Sequence, residues 1–194
     1  MNYENCFDQE QDCQQIFRSL LHALSNPGEI QNIFQFTKEI KDPSGVIVSL
    51  AMTLLDKETS FSLIGAPELS EDISQMTYAK VLHEAGADFI FVMKKSTLEE
   101  IEKIMALASP GTLVEPHKNT VFIVGVEAFD GSGNCVWTGP GIQSSKAVSL
   151  DIYGRQWIEQ RDWMNYEYPM GIDIFFVTPG GEIMGIPRNV KMKG

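Results

Sequence analysis

The chain has 194 residues, 43% of them hydrophobic and 21% charged, which predicts a single globular domain over residues 1–194. Its formal net charge of −11 repels nucleic acid and anionic membranes at long range, so we expect neither as a partner. The longest strongly apolar stretch, 46–55, is far shorter than the roughly 20 residues that a membrane-spanning helix needs. The first residues contain no basic region followed by an apolar one, so we predict no signal peptide and expect a cytoplasmic protein.

Helical and strand patterns alternate through the first two thirds of the chain, and predicted hairpins gather near its end. Hydrophobic spacing predicts helices over 12–25, from 42 onward, and over 70–85, 97–108 and 151–165, and strands over 30–36, 61–64, 88–93, 121–126, 172–177 and 182–186. Turn sequences at 130–133 and 179–181 predict two hairpins. This order predicts an α/β fold with a mixed β-sheet flanked by helices on both faces.

Capping residues indicate where two of the helices begin. Asp42 can cap the second helix, and Pro43 suits a first helical position because its missing N–H is not needed there. Thr97 and Glu100 have the spacing of a capping box, in which each side chain accepts a hydrogen bond from the other residue's backbone.

No standard catalytic motif is present in the sequence. It contains no P-loop, no dinucleotide fingerprint, no HExxH zinc motif and no GxSxG nucleophile elbow. The histidines His22, His83 and His117 are widely spread and the three cysteines form no CxxC pair, so no metal site is predicted. The catalytic residues, if there are any, are therefore unknown from the sequence.

Four charged residues are candidates for binding a ligand, and each also has a structural interpretation. Arg18 and Arg188 could bind a phosphate bidentately or pair with a carboxylate of the fold. Asp56, just after a helix, could act in acid–base chemistry or bind a cation, or it could belong to a solvated turn. Asp173 begins an otherwise apolar strand, where burial would require a hydrogen-bonding partner.

The segment around Pro140 is a further candidate for binding a ligand. Gly139 and Gly141 could present backbone N–H groups to an anion, whereas Pro140 has no N–H to donate. A structural turn is the alternative interpretation of the same residues.

Six segments, taken in chain order, resemble the motifs of one protein family. They are FRSLLHALSNPG at 17–28, LLDKET at 54–59, GT with a following proline at 111–116, GPGI at 139–142, YPMGID at 168–173 and IPR at 186–188. Together they resemble the H subunit of the bacterial carbon–phosphorus lyase system, the PhnH family. The likeness departs from the family at Lys118 and Asn119, where small residues are usual, and no motif of the family falls within 66–108.

The resemblance implies properties that residue spacing does not. The fold would resemble a reduced pyridoxal-phosphate-dependent transferase domain without the residues that bind the cofactor, so no cofactor is expected. The chain would form a homodimer and join the G, I and J subunits in a core complex. That complex transfers a ribose triphosphate group from ATP to methylphosphonate, and a radical enzyme subunit then cleaves the C–P bond.

Three hypotheses for the function follow. The chain could be an accessory or non-catalytic subunit of that complex, which the lack of catalytic motifs favours. It could instead bind or convert a phosphonate or nucleotide in its own cleft, using the candidate residues named above. As a third hypothesis, an active pyridoxal-phosphate enzyme would need a lysine for the aldimine and an acid such as Asp173 beside the pyridinium nitrogen.

Overall fold

The computed structural model of the protein describes residues 7–37, 44–82, 85–129 and 135–193. The helices are α1 Gln11–Ser25, α2 Phe34–Thr37, α3 Gly45–Leu54, α4 Leu69–Thr77, α5 Leu98–Met105 and α6 Ile152–Trp163. The strands are β1 Gln31–Asn32, β2 Ser60–Ile64, β3 Lys80–Val81, β4 Phe89–Val92, β5 Val121–Gly125, β6 Cys135–Thr138, β7 Lys146–Val148, β8 Asp173–Val177, β9 Glu182–Ile186 and β10 Lys191–Lys193. None of the helices within these described ranges is long and apolar enough to cross a membrane.

The strands form a large mixed sheet and a small antiparallel sheet. The large sheet has the order β1-β9-β8-β5-β4-β2-β3, and the small sheet has the order β10-β6-β7. In the large sheet, β3, β2, β4, β5 and β8 are parallel, while β9 and β1 run antiparallel to their neighbours. The prediction of an α/β fold with a mixed sheet is therefore confirmed.

The parallel region of the large sheet has two edges. The amino edge, where the parallel strands begin, carries Ser60, Phe89, Val121 and Asp173. The carboxyl edge, where the same strands end, carries Ile64, Val92, Gly125 and Val177.

Side chains alternate between the two faces of the large sheet, so the strands contribute to two separate cores. In β4, Ile90 and Val92 join one core and Phe91 joins the other. The first core is covered by α5, α6 and the small sheet, and the second by α1, α3 and α4. Because both faces are buried, the central strands are apolar throughout, and the prediction of helices on both faces is confirmed.

The strand predicted over 30–36 is wrong beyond its first residues. Only β1 pairs with β9, and the short helix α2 follows immediately. The side chain of Asn32 accepts a hydrogen bond from the N–H of Phe34 at 2.9 Å, which turns the chain out of the strand and into the helix.

The helix predicted over 70–85 is also too long. Helix α4 ends at Thr77, and Tyr78 follows in the left-handed conformation with φ 61°. The next residues pair with β2, since the N–H of Lys80 donates to Thr59 O at 3.1 Å and that of Leu82 to Phe61 O at 2.8 Å. The hydrogen bonds offered by the open side of β2 outweigh the moderate helical pattern of these residues.

The first of the two predicted hairpins is not formed. That hairpin would join β5 to β6, but β5 is already paired on both sides, by β4 and β8. β6 pairs instead with β7 and β10. The second hairpin, between β8 and β9, is confirmed. The turn predicted at 130–133 and the helix start predicted at 42–43 lie outside the described residues.

Candidate functional site

Asp173 and Arg188, two of the residues predicted from the sequence, form an ion pair at the amino edge. Arg188 Nη2 lies 2.6 Å from Asp173 Oδ2, and Arg188 Nε donates to Asp173 Oδ1 at 3.3 Å. The backbone N–H of Arg188 donates to the same Oδ1 at 2.7 Å. The two side chains are only 17% and 13% exposed, so the bidentate pair is largely shielded from water.

The remaining hydrogen bonds of Arg188 connect this pair to the segment before β5. Arg188 Nη2 donates to Asn119 Oδ1 at 2.6 Å, and Arg188 Nη1 donates to the backbone oxygen of Pro116. Asn119 Nδ2 in turn donates to Asp173 Oδ2 at 3.0 Å. All three guanidinium nitrogens thus donate to protein oxygens, and the charge of Arg188 is matched by Asp173.

The loop 110–119 is held at its base by these contacts. The N–H of Gly171 donates to Pro110 O at 2.9 Å, and Pro110 forms an isolated bridge with Asn119. Within the loop, the N–H of Glu115 donates to Thr112 Oγ1 at 2.9 Å. The tip between these anchors, Leu113 and Val114, is exposed to solvent.

Gly111 is required at the start of this loop. It has φ +77°, and a Cβ there would lie 2.9 Å from Pro116 O. The two sides of the loop therefore approach each other closely only because Gly111 has no side chain.

Arg161 is a second arginine clamp, and the sequence interpretation did not assign it a role. It is 2% exposed and donates to the backbone oxygens of Ile186, Pro187 and Val190, while Asp162 pairs with it at 2.8 Å. Burial lowers the pKa of its guanidinium, and Asp162 opposes that shift.

The signal for Arg161 was present in the sequence. Arg161 follows Trp157 by four residues, as Trp157 follows Tyr153, so all three lie on the buried face of α6. A charged residue on that face had to find buried partners. By holding 186–190, it positions the segment that carries Arg188.

Gly139 and Gly141 serve close backbone packing. A Cβ on Gly139 would lie 2.6 Å from Asn189 O, and one on Gly141, at φ +82°, would lie 2.8 Å from both Ser25 O and Pro27 Cδ. The GPGI turn therefore sits between the end of α1 and the segment after β9. This placement brings two of the family-like segments, 17–28 and 139–142, into direct contact.

Arg18 and Asp56 lie apart from this cluster. Arg18 is exposed on α1 and makes no hydrogen bond or ion pair with any residue the structure describes. Asp56 Oδ1 accepts from the N–H of Glu58 at 2.9 Å, in a turn that precedes β2. β2 is separated from β8 by two strands, so Asp56 shares the amino edge with Asp173 but not its immediate surroundings. A ligand-binding role for the six candidates stays a prediction.

A largely apolar cavity lies at the opposite, carboxyl edge and is lined by none of the six candidates. It has a volume of about 400 Å³ and is lined by residues at or just after the ends of β2, β4, β5 and β8 and by the first turns of α3 and α6. Its walls are mostly apolar, with Val46, Leu69 and Val126 among them. Ligands of open α/β sheets bind outside the carboxyl ends of the strands, so this cleft has the expected location for a binding site.

Two lysines line this cleft, each paired with a glutamate. Lys94 Nζ lies 2.9 Å from Glu100 and Lys95 Nζ lies 3.2 Å from Glu127. The hydrogen bond from Lys94 lowers the pKa of the Glu100 carboxyl. Exposed ion pairs of this kind are weak and exchange partners readily. Both lysines lie within three residues of the end of β4, a position that the rule for strand ends would have identified.

The acid considered for a pyridoxal-phosphate enzyme lies away from the two lysines of the cleft. Asp173, the acid considered for that role, is engaged by Arg188 at the amino edge, whereas the lysines of the cleft lie at the carboxyl edge. Among the described residues, no group of three or more His, Cys, Asp or Glu side chains is arranged to hold a metal ion.

Comparison with known proteins identifies the family. Residues 5–193 match the model of the family described as bacterial phosphonate metabolism protein (PhnH). A protein of Stutzerimonas stutzeri provisionally named C-P lyase subunit protein HtxG is 24% identical over 183 residues, covering 93% of this chain and 87% of its own. The alpha-D-ribose 1-methylphosphonate 5-triphosphate synthase subunit PhnH of Rhizobium meliloti (strain 1021) is 25% identical over 191 residues, covering 94% and 90%. The chain therefore belongs to the PhnH family of bacterial phosphonate metabolism proteins.

Proposed function

We propose that this chain is an accessory, non-catalytic subunit of the carbon–phosphorus lyase core complex and is required for phosphonate catabolism. The observation that carries the proposal is the family match over 5–193, together with relatives named as subunits of C-P lyase or of the triphosphate synthase. The complex would attach the ribose triphosphate group of ATP to methylphosphonate before the C–P bond is cleaved.

The chemistry of the motif residues supports a structural role for them. Asp173 and Arg188 compensate each other's charge, and the glycines of GPGI occupy places where a side chain would collide with backbone. In this proposal the chain is cytoplasmic, forms a homodimer, joins the G, I and J subunits, and has the architecture of a reduced pyridoxal-phosphate transferase domain without cofactor.

Growth and reconstitution test the proposal. Deleting the gene should abolish growth on methylphosphonate as the sole phosphorus source, and the wild-type chain should restore it. The purified chain alone should form no product from ATP and methylphosphonate, whereas the complex assembled with it should. Growth of the deletion strain, or turnover by the isolated chain, would contradict an accessory role.

A second candidate function, ligand binding within the chain itself, is favoured by the carboxyl-edge cleft. Apolar walls with Lys94 and Lys95 among the lining residues suit a small molecule that has an apolar portion and an anionic group, such as a phosphonate. A nucleotide would use the same lysines for its phosphates.

Calorimetry with ATP and with methylphosphonate tests this second candidate. The double variant Lys94→Gln/Lys95→Gln should weaken binding about a hundredfold or more, since each of the two charge-assisted contacts contributes about 1.5 kcal/mol or more. Lys57→Gln, at a more exposed ion pair on the amino edge, is the control and should bind like wild type. An absence of binding heat with wild type would remove this candidate.

A further inference from the structure

The carboxyl-edge cleft contains as many negative as positive side chains. Among the described residues, the charged side chains that line it are Lys94, Lys95, Glu127 and Asp151. Their formal charges cancel, and Glu100, which pairs with Lys94 from outside the lining, adds a further negative charge. An anionic ligand therefore finds both lysines already compensated, and it must take a lysine away from its carboxylate partner.

The three carboxylates are held to different degrees. Asp151 Oδ1 accepts a hydrogen bond from a backbone N–H in the first turn of α6 at 2.7 Å. Glu100 Oε2 accepts from the capping-box N–H at the start of α5 at 2.8 Å. The carboxylate of Glu127 has no partner other than Lys95 within the described part of the chain, and its side chain is 82% exposed. Glu127 is therefore the carboxylate that can leave the cleft without breaking a helix cap.

The Lys95–Glu127 pair connects the ends of two neighbouring strands. Lys95 lies shortly after β4 and Glu127 shortly after β5, and these strands are parallel neighbours. The backbone beside each residue is fixed, because Lys94 O accepts from Tyr153 Oη at 3.1 Å and the N–H of Val126 donates to the last residue of β8 at 2.9 Å. Opening the pair therefore needs only the rotation of two exposed side chains, and exposed ion pairs of this kind are weak.

We propose that the carboxylate of Glu127 is an internal competitor, which occupies Lys95 until the phosphonate or phosphate group of a ligand displaces it. The inference rests on the second candidate function proposed above, ligand binding in this cleft. Binding then exchanges one ion pair for another without movement of the backbone. The competition lowers the affinity of the cleft for anionic ligands by a modest factor, because the pair that must open is weak.

Binding measurements on Glu127→Gln test the competition. This variant should bind ATP and methylphosphonate about three- to tenfold more tightly than wild type, because the charge that competes for Lys95 is removed. Glu58→Gln removes the same charge from an ion pair of similar exposure at the amino edge, so it is the matched control and should bind like wild type. Tightening by both variants would indicate an effect of net charge alone and would overturn the proposal. Weaker binding by Glu127→Gln would overturn it as well, since Glu127 would then be a contact of the ligand.

The same substitution in a second background separates displacement from simple repulsion. In Lys95→Gln, the carboxylate has no lysine to occupy, so adding Glu127→Gln should tighten binding clearly less than it does in the wild-type background. Titrations followed by NMR keep millimolar dissociation constants accessible in all four proteins. Equal tightening in the two backgrounds would mean that Glu127 only repels the ligand, which contradicts the competition.

The outcomes distinguish this inference from the function on which it rests. If wild type binds neither ligand, the second candidate function fails and the inference fails with it. If wild type binds and Glu127→Gln binds equally well, the cleft remains a ligand site and only the competition is overturned. Thermal unfolding of Glu127→Gln should match that of wild type, since an exposed pair contributes little to stability, so a change in affinity would not reflect a damaged fold.

Discussion

The amino and carboxyl edges of the large sheet are formed by opposite ends of the same parallel strands, but they hold their polar groups differently. At the amino edge, Asp173 binds Arg188, and Asp88 accepts hydrogen bonds from the N–H and hydroxyl of Ser60 at 2.8 and 2.6 Å. At the carboxyl edge, the cleft is open and its lysines are held only by exposed glutamates. Asp173 and Arg188, which the sequence singled out, are therefore engaged by protein partners at one edge, whereas the cavity of about 400 Å³ lies at the other.

The largest expected effect comes from opening the ion pair at the amino edge. Asp173→Ala should lower the free energy of unfolding by about 3 kcal/mol, because it leaves the shielded guanidinium of Arg188 without its counter-charge. Urea denaturation measures the change. Glu58→Ala removes an ion pair on the same edge whose side chains are 78% and 79% exposed, and it should cost at most about 0.5 kcal/mol. Equal effects of the two variants would show that the pair is not shielded.

A smaller effect is expected where backbone segments approach each other beside this edge. Gly141→Ala should destabilise by about 2 kcal/mol, because the new methyl group meets Ser25 O and the residue must keep a left-handed backbone. Gly180→Ala is the control, since its nearest atom would be Thr178 Oγ1 at 3.7 Å. Thermal unfolding of both variants checks this, and an unchanged Gly141→Ala would contradict the close packing of the GPGI turn.

At the carboxyl edge, the start of α5 should be moderately sensitive. Thr97→Ala should cost about 1 kcal/mol, since Thr97 Oγ1 accepts a hydrogen bond from the N–H of Glu100. Thr97→Ser keeps the acceptor and should restore most of the stability in urea denaturation. A serine variant no better than alanine would mean that the cap does not contribute.

The smallest effect is a pH dependence in the same capping box. The pKa of Glu100 is lowered from 4.5, chiefly by Lys94 and then by the N–H of Thr97, so its stabilising effect is complete above pH 4.5 and is lost as the pH falls through the lowered value. The stability difference between wild type and Glu100→Gln should therefore shrink below pH 4.5. Glu102→Gln, on the same helix, is the control, and a difference that persists into acid would contradict the pairing.

Much of the fold could be predicted from local sequence. The apolar runs of β4, β5 and β8 indicated strands buried on both faces, and the capping box at Thr97 and Glu100 is formed as predicted. The predictions failed where a neighbouring strand decided the outcome. β3 forms because β2 has an open side, and β6 joins the small sheet because β5 is already paired on both sides.

The sequence by itself determined the α/β class, the order of the family-like segments and the residues that needed partners. Only the tertiary structure decided which residues are their hydrogen-bonding and ion-pair partners. Asn119 lies 54 residues from Asp173 and 69 from Arg188, and the three meet because β5 and β8 are neighbours and β9 returns beside β8. The run 168–173 leads into β8 and places Asp173 in an ion pair at the amino edge. Strand order determines which side chains meet, and no local sequence pattern encodes that order.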